Sequence, residues 1–211
     1  MKRAIIFDFD GTIADTVPIM LDIYHKKAET KGWPVITPTT LVELKKGSIK
    51  QAMRWAGVKF WQIPGLLSMG RSYMKERAND IQMFDGIPQL MKDIPASTDL
   101  YVLSNNDSTT IEQVLIANGL NNKVRVLPRP SLFNKDKSIK RLLKLNKYFN
   151  KDVIMVGDEV RDIEAGRKAK IHSVGVSWGL QDKSLLKKAK ADEVCDSVGE
   201  LNIAIERIFS N

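Results

Sequence analysis

The sequence predicts an α/β chain: a doubly wound parallel sheet with a small helical unit inserted after its first strand. Three observations carry this expectation. Short apolar runs end abruptly in clusters of Asp, Ser, Asn or Gly, the pattern of strands buried on both faces. In the second half these runs alternate with helical periodicity, the rhythm of βαβ units. Between the first run and the next, three helical patterns follow one another with no strand between them.

The first strand is Ala4 to Phe7 in MKRAIIFDFDGT, bounded by Lys2 and Arg3 before it and Gly11 after it. Beyond Thr12, Ile13, Val17, Met20, Leu21 and Tyr24 recur at helical steps, with Pro18 near the start and Lys31-Gly32 as the stop. A second helix is expected from Thr39 or Thr40 through Leu41, Leu44, Ile49, Met53 and Trp55, interrupted near Gly47, and a third over 63–78. These three form a unit of residues 16–83 set into a core of 1–15 and 84–211. A turn at 84–88 leads into a short helix at 88–93, then a strand over 99–104. A helix over 109–118 closes on Gly119, which suits a left-handed terminal residue. A further strand is expected at 124–127, and a helix over 134–147 turns Ile139, Leu142, Leu143 and Leu145 inward. Strand 152–156, helix 160–169 and strand 171–176 complete the βαβ pattern, and a helix at 183–190, an edge strand at 193–195 and a helix at 198–209 end the chain.

The composition, 43% hydrophobic and 27% charged residues, fits a globular chain with a substantial core and excludes a disordered one. The apolar run after Lys2 and Arg3 is too short for a signal peptide or a membrane span, so a soluble cytoplasmic protein is expected. The single cysteine, Cys195, has no partner and no adjacent basic group, and reads as structural. A net charge of +8 is compatible with attraction of anionic small molecules or of nucleic acid. Eight Lys or Arg between residues 41 and 80, and a second basic concentration at 135–151, are most simply solvated helix faces. No zinc-finger spacing or aromatic RNA-binding strand is present.

Four stretches can carry chemistry. Asp8 and Asp10 stand where the first strand should end, the edge at which open parallel sheets bind ligands. Within the strand they would be unpaired charges in a core. Two such carboxylates suit a reaction in which one attacks and the other moves protons, with a divalent cation holding an anionic substrate. Ser104 and Asn105 end the next strand ahead of helix amides, a receptor for phosphate oxygens as well as an ordinary capping loop. The third stretch, SLFNKDKSIK, holds Lys135 and its rival Lys137, either of which on its own reads as a solvated lysine. Asp158, Glu159 and Asp162 in VGDEVRDIEAG form an acidic cluster at a third strand end, whose mutual repulsion a cation with oxygen ligands such as Mg2+ would relieve.

In that order, the four stretches resemble the motifs of the haloacid dehalogenase superfamily, in its phosphoglycolate phosphatase-like branch. DFDGT is similar to the D-x-D-G-T form found in its phosphatases and mutases, SLFNK resembles the phrase before its motif lysine, and the helical insertion looks like its cap. The resemblance implies a Rossmann-like core and a Mg2+-dependent phosphatase that hydrolyses a small phosphate monoester through an aspartyl-phosphate. Asp8 would attack phosphorus. Asp10 would protonate the leaving alcohol and then activate water. Ser104 and Lys135 would hold the phosphoryl group. Asp158 would bind the metal with Asp8 and the Asp10 carbonyl, and Glu159 or Asp162 would hold the metal directly or through water. The acid two positions after the nucleophile disfavours a dehalogenase. A sugar phosphomutase uses the same motifs and is the first alternative; a binding module for nucleic acid or an acidic partner, without turnover, is the second.

The expected partner is a small phosphorylated metabolite, with no membrane, and the chain is expected to be a monomer or homodimer. Lys46 and Arg54, in and beside the segment KKGSIKQ, are the cap's candidates for substrate specificity. Hinges are expected near Asp15 and Thr16 and between Met83 and Gly86.

Overall fold

A computed structural model describes residues 2–130 and 134–210. Residues 131–133, part of the SLFNK phrase, lie outside the described residues. The chain opens with β1 (Arg3–Phe7), and a two-residue β2 (Ala14–Asp15) pairs antiparallel with β3 (Gln82–Met83). Between β2 and β3 lie α1 (Val17–Lys31), α2 (Pro38–Lys45), α3 (Ile49–Trp55) and α4 (Ile63–Glu76). The remainder alternates: α5 (Ile87–Asp93), β4 (Thr98–Val102), α6 (Ser108–Ala117), β5 (Val124–Val126), α7 (Lys135–Asn146), β6 (Val153–Gly157), α8 (Val160–Ala169), β7 (His172–Val176), α9 (Lys183–Lys188), β8 (Glu193–Cys195) and α10 (Val198–Ser210).

Six strands form one parallel sheet in the order β5-β4-β1-β6-β7-β8. β1 is central, with Phe7 opposite Val102 of β4 on one side and Val156 of β6 on the other. Its side chains alternate between two cores. Ile5 and Phe7 pack with Leu100, Val102, Ile154 and Val156 beneath α5, α6 and α10. Ala4 and Ile6 join Tyr101, Leu103, Val153 and Met155 beneath α7 and α8. Helices therefore cover both faces, which is why β1 reads as an unbroken apolar run rather than an alternating one. The chain turns from β5 back across to β6 beside β1, so the carboxyl ends of β1, β4 and β6 meet at the crevice where such sheets bind ligands.

The structure corrects the sequence reading in several places. Ile13 is not helical: Gly11 adopts φ +74°, the Gly11 amide donates to the Ala14 carbonyl at 2.9 Å, and Ile13 enters the core in a tight turn before β2. The expected second helix is two, because Ser48 caps a new start. Its hydroxyl accepts the Gln51 amide at 3.3 Å, and the Gln51 side chain accepts the Ser48 amide at 2.7 Å, a reciprocal box that begins α3. α4 stops at Glu76, and Ala78 falls in a separate short 3-10 turn. Leu145 is 69% exposed on the outer side of α7. Among the described residues, no helix is long and apolar enough to cross a membrane.

Candidate active site

Three parallel strands end together, and each delivers a polar side chain. Asp8 follows β1, Ser104 follows β4 and Asp158 follows β6, all of them buried. Asp8 Oδ1 accepts the amide of Phe9 at 2.8 Å. Lys135, at the start of α7, is 4% exposed and stands 2.7 Å from Asp8 Oδ2 and 2.6 Å from Asp162 Oδ1. Lys135 thus bridges the two carboxylates, as an ion pair with Asp8 and a hydrogen-bonded ion pair with Asp162. Asp162 Oδ2 accepts the amide of Glu159 at 3.2 Å, tying the first turn of α8 to the same cluster.

Asp158 is enclosed from two sides. The Thr12 hydroxyl donates to its Oδ1 and the Leu180 amide to its Oδ2, each at 2.7 Å. The backbone at Gly11 and Gly179 comes so near that a Cβ on either would lie 2.3 Å from Asp158 Oδ2, a closeness only glycine permits. Asp10 is turned the other way. Asn106 Nδ2 donates to its Oδ1 at 3.0 Å, the Ser104 hydroxyl approaches its Oδ2 at 3.4 Å, and the Ser104 oxygen accepts the Asn106 amide at 3.1 Å. Among the described residues, Asn105 Nδ2 is buried without a hydrogen-bond partner.

Five carboxylates share this crevice with two cations, Lys135 and Arg161. Loss of water raises the Asp10 carboxyl to about 6, with the charge of Asp8 adding to it. Burial pushes Glu159 to about 7; Arg161, its ion-pair partner, opposes this, and Asp162 and Asp8 reinforce it. Asp158 and Asp162 are also raised, in both cases by burial first. Burial pulls the Lys135 ammonium down, but Asp162 and Asp8 outweigh it and the net shift is upward. By formal charge the five carboxylates outnumber the two cations, and the upward shifts are the response to that crowding.

That excess has a natural complement. One oxygen from each of Asp8, Asp158 and Asp162 lies within 4.8 Å of the others, and these hard oxygen donors fit a small divalent cation such as Mg2+. Asp162, expected to hold the metal directly or through water, belongs to this cluster, while the Asp10 carboxylate is held by Asn106. Glu159 is occupied by Arg161, and among the described residues its Oε2 has no hydrogen-bond partner.

A cavity of about 690 Å3 opens from Asp10 and Asn105 beneath α1 to α4. Lys46 and Arg54 are not in its wall. Lys46 is exposed and paired with Glu43 at 2.7 Å, and Arg54 is exposed on α3. Their neighbours Lys45, Gly47 and Met53 line it instead. Sequence reasoning also passed over Thr12, Asn106, Arg161 and Gln181. Thr12 and Arg161 lie inside recognised stretches and could have been read from them, whereas Asn106 sits in a stretch that also reads as a capping loop. Gln181, whose Oε1 accepts the Val160 amide at 2.6 Å, sits in a loop with no sequence signal.

A doubly wound sheet with paired acids after its first strand, a helical insertion beside them and a lysine and acid cluster opposite defines a class of hydrolase. The model of the haloacid dehalogenase-like hydrolase family matches residues 5–176, and the chain belongs to that family. It is 29% identical to the phosphoglycolate phosphatase of Synechococcus elongatus over 209 residues, covering 98% of this chain and 99% of that one. It is 27% identical to the N-acetylmuramic acid 6-phosphate phosphatase of Pseudomonas putida over 214 residues, covering 97% and 96% of the two chains. A haloacid dehalogenase-like hydrolase from Streptococcus pneumoniae shares the fold with a TM-score of 0.79, at 20% identity and with 96% and 97% of the chains covered.

Proposed function

We propose that the protein is a Mg2+-dependent phosphomonoesterase working through an aspartyl-phosphate on Asp8. The observation that carries the reading is the convergence of Asp8, Asp10 and Asp158 at adjacent strand ends, with the Lys135 ammonium 2.7 Å from Asp8 Oδ2. Asp8 Oδ2 attacks phosphorus, the ester P–O bond breaks, and the leaving oxygen takes the proton carried by Asp10. A carboxyl raised to about 6 suits this task, since it can hold a proton near neutrality and give it up. Asp10 then takes a proton from water, whose oxygen attacks phosphorus and frees Asp8 and inorganic phosphate. Lys135, Asn105 and Ser104 would hold the phosphoryl oxygens, Lys135 as a fixed buried charge. A Mg2+ ion held by Asp8 and Asp158, with Asp162 in the same cluster, would supply the positive charge that lets an anionic ester approach these carboxylates.

Residues 16–83 act in this reading as a cap over the core formed by 1–15 and 84–211. The β2–β3 ribbon brings the two ends of the cap together, Ala14 opposite Met83 and Asp15 opposite Gln82, and is the natural place for it to pivot. The names of the relatives suggest phosphoglycolate and N-acetylmuramic acid 6-phosphate as esters to try first. Phosphate release from these and from p-nitrophenyl phosphate should require Mg2+, stop with EDTA, and fall at least about 1000-fold in Asp8→Asn. Unchanged turnover in that variant would remove Asp8 as the nucleophile.

A further inference from the structure

The cavity beside Asp10 is much larger, and more apolar, than phosphoryl transfer itself needs. Its volume of about 690 Å3 is in the range that encloses a drug-sized molecule. One end is the candidate site, since Asp10, Asn105 and Asn106 belong to its wall. From there it follows α1, where Val17, Met20, Leu21, Tyr24 and Lys27 recur at three- and four-residue steps on one face. At 1.5 Å per residue this stripe is about 15 Å long. α4 contributes Met74 at the Asn106 end, with its sulfur 3.2 Å from Asn106 Nδ2, and Leu66 and Leu67 about two turns away. The stacked rings of Tyr24 and Trp33, 5.9 Å apart, complete a mostly apolar wall into which Lys27, Lys45 and Arg71 also bring charge, with Arg129 and Arg161 on the lining as well.

A leaving group of two carbons and a carboxylate would touch only the mouth of this space and leave the α1 stripe facing water. The hydrophobic effect favours the opposite arrangement, in which apolar surface on the substrate covers apolar surface on the wall. We infer that the preferred substrate is a water-soluble phosphate monoester with an elongated apolar leaving group, an aryl or medium-chain alkyl alcohol lying along α1 with its ester oxygen at Asp10. The inference rests on the phosphomonoesterase reading and adds the chemistry of the leaving group. The released alcohol departs through the cap side, and inorganic phosphate remains at the strand ends.

The test uses the full chain with Mg2+ and two series. In the first, kcat/KM is measured for phosphoglycolate, the n-alkyl phosphates from ethyl to octyl, phenyl phosphate and 2-naphthyl phosphate. The expected result is a rise of about fourfold per added methylene until the stripe is covered, with naphthyl above phenyl and phosphoglycolate near the bottom. In the second, calorimetry follows binding of n-alkylphosphonates, which carry no ester bond to hydrolyse, and the affinity should climb with the same slope. Leu67→Trp, which fills the cavity, should flatten both series. Affinities independent of chain length, or kcat/KM highest for phosphoglycolate, overturn the inference while leaving the phosphomonoesterase intact. Absence of turnover with every ester overturns the phosphomonoesterase reading itself.

Discussion

Gly11 shows how tightly single residues constrain this site. Its φ of +74° already disfavours a side chain, and a Cβ there would lie 2.3 Å from Asp158 Oδ2, an atom fixed by the Leu180 amide. Gly11→Ala should therefore cost about 1 kcal/mol from the backbone alone and displace Asp158 as well. Activity should drop about 100-fold, far more than the melting temperature suggests, because a small misplacement of a positioned group is costly. Comparing kcat with Tm for this variant checks the expectation. The positions of Asp8, Asp10 and Asp158 were legible because apolar runs stop at them, and a carboxylate at such a stop has few structural uses. Asn106 was not, because Ser-Asn-Asn-Asp is also what a capping loop looks like, and Asp107 does cap α6 by accepting the Thr109 amide at 3.0 Å. Which asparagine turns toward Asp10 is decided by the tertiary approach of β1 and β4, information no short window contains.

At the scale of elements, the segment KKGSIKQ illustrates both what patterning reveals and what it hides. Gly47 was visible as an interruption, and the structure puts it in the cavity wall, but Ser48 to Gln51 is a helix cap rather than a substrate loop. Ser48→Ala removes the hydroxyl that accepts the Gln51 amide and should destabilise α3 by about 1 kcal/mol. Faster amide hydrogen exchange confined to α3, with β1, β4 and β6 unchanged, is the expected signature. The core strands were legible almost to the residue because burial on both faces leaves an unambiguous apolar run. β2 and β3 escaped notice because a two-residue strand has no periodicity to detect. Their pairing exists only because the inserted helices must leave and return at one place.

For the molecule as a whole, Asp99 is a stability determinant whose effect depends on pH. It lies at the amino end of the sheet, where Lys2 stands 3.3 Å away and Arg125 and the Tyr148 hydroxyl also contact it. Burial raises its carboxyl, but the Tyr148 hydrogen bond and the charges of Lys2 and Arg125 outweigh this and hold it below its ordinary value. A depressed carboxylate binds its proton more weakly in the folded state than in the unfolded one, so its stabilisation is complete above the ordinary carboxylate range and is lost as pH falls through the lowered value. Asp99→Asn should cost about 1 kcal/mol at pH 7, and the gap between variant and parent in urea unfolding should close toward pH 2.

The central position of β1 has a consequence for the order in which the protein can be made. β1 emerges from the ribosome before both of its neighbours, β4 and then β6, and Val156 is synthesised long after Phe7. Until β6 arrives, one edge of β1 stays unpaired and Asp8 has no Asp158 beside it. Early termination would thus release a chain with an open, aggregation-prone edge, and one that lacks part of its acidic cluster. The strand that closes the second edge of β1 also delivers Asp158, so burial of β1 and assembly of the acidic cluster advance together.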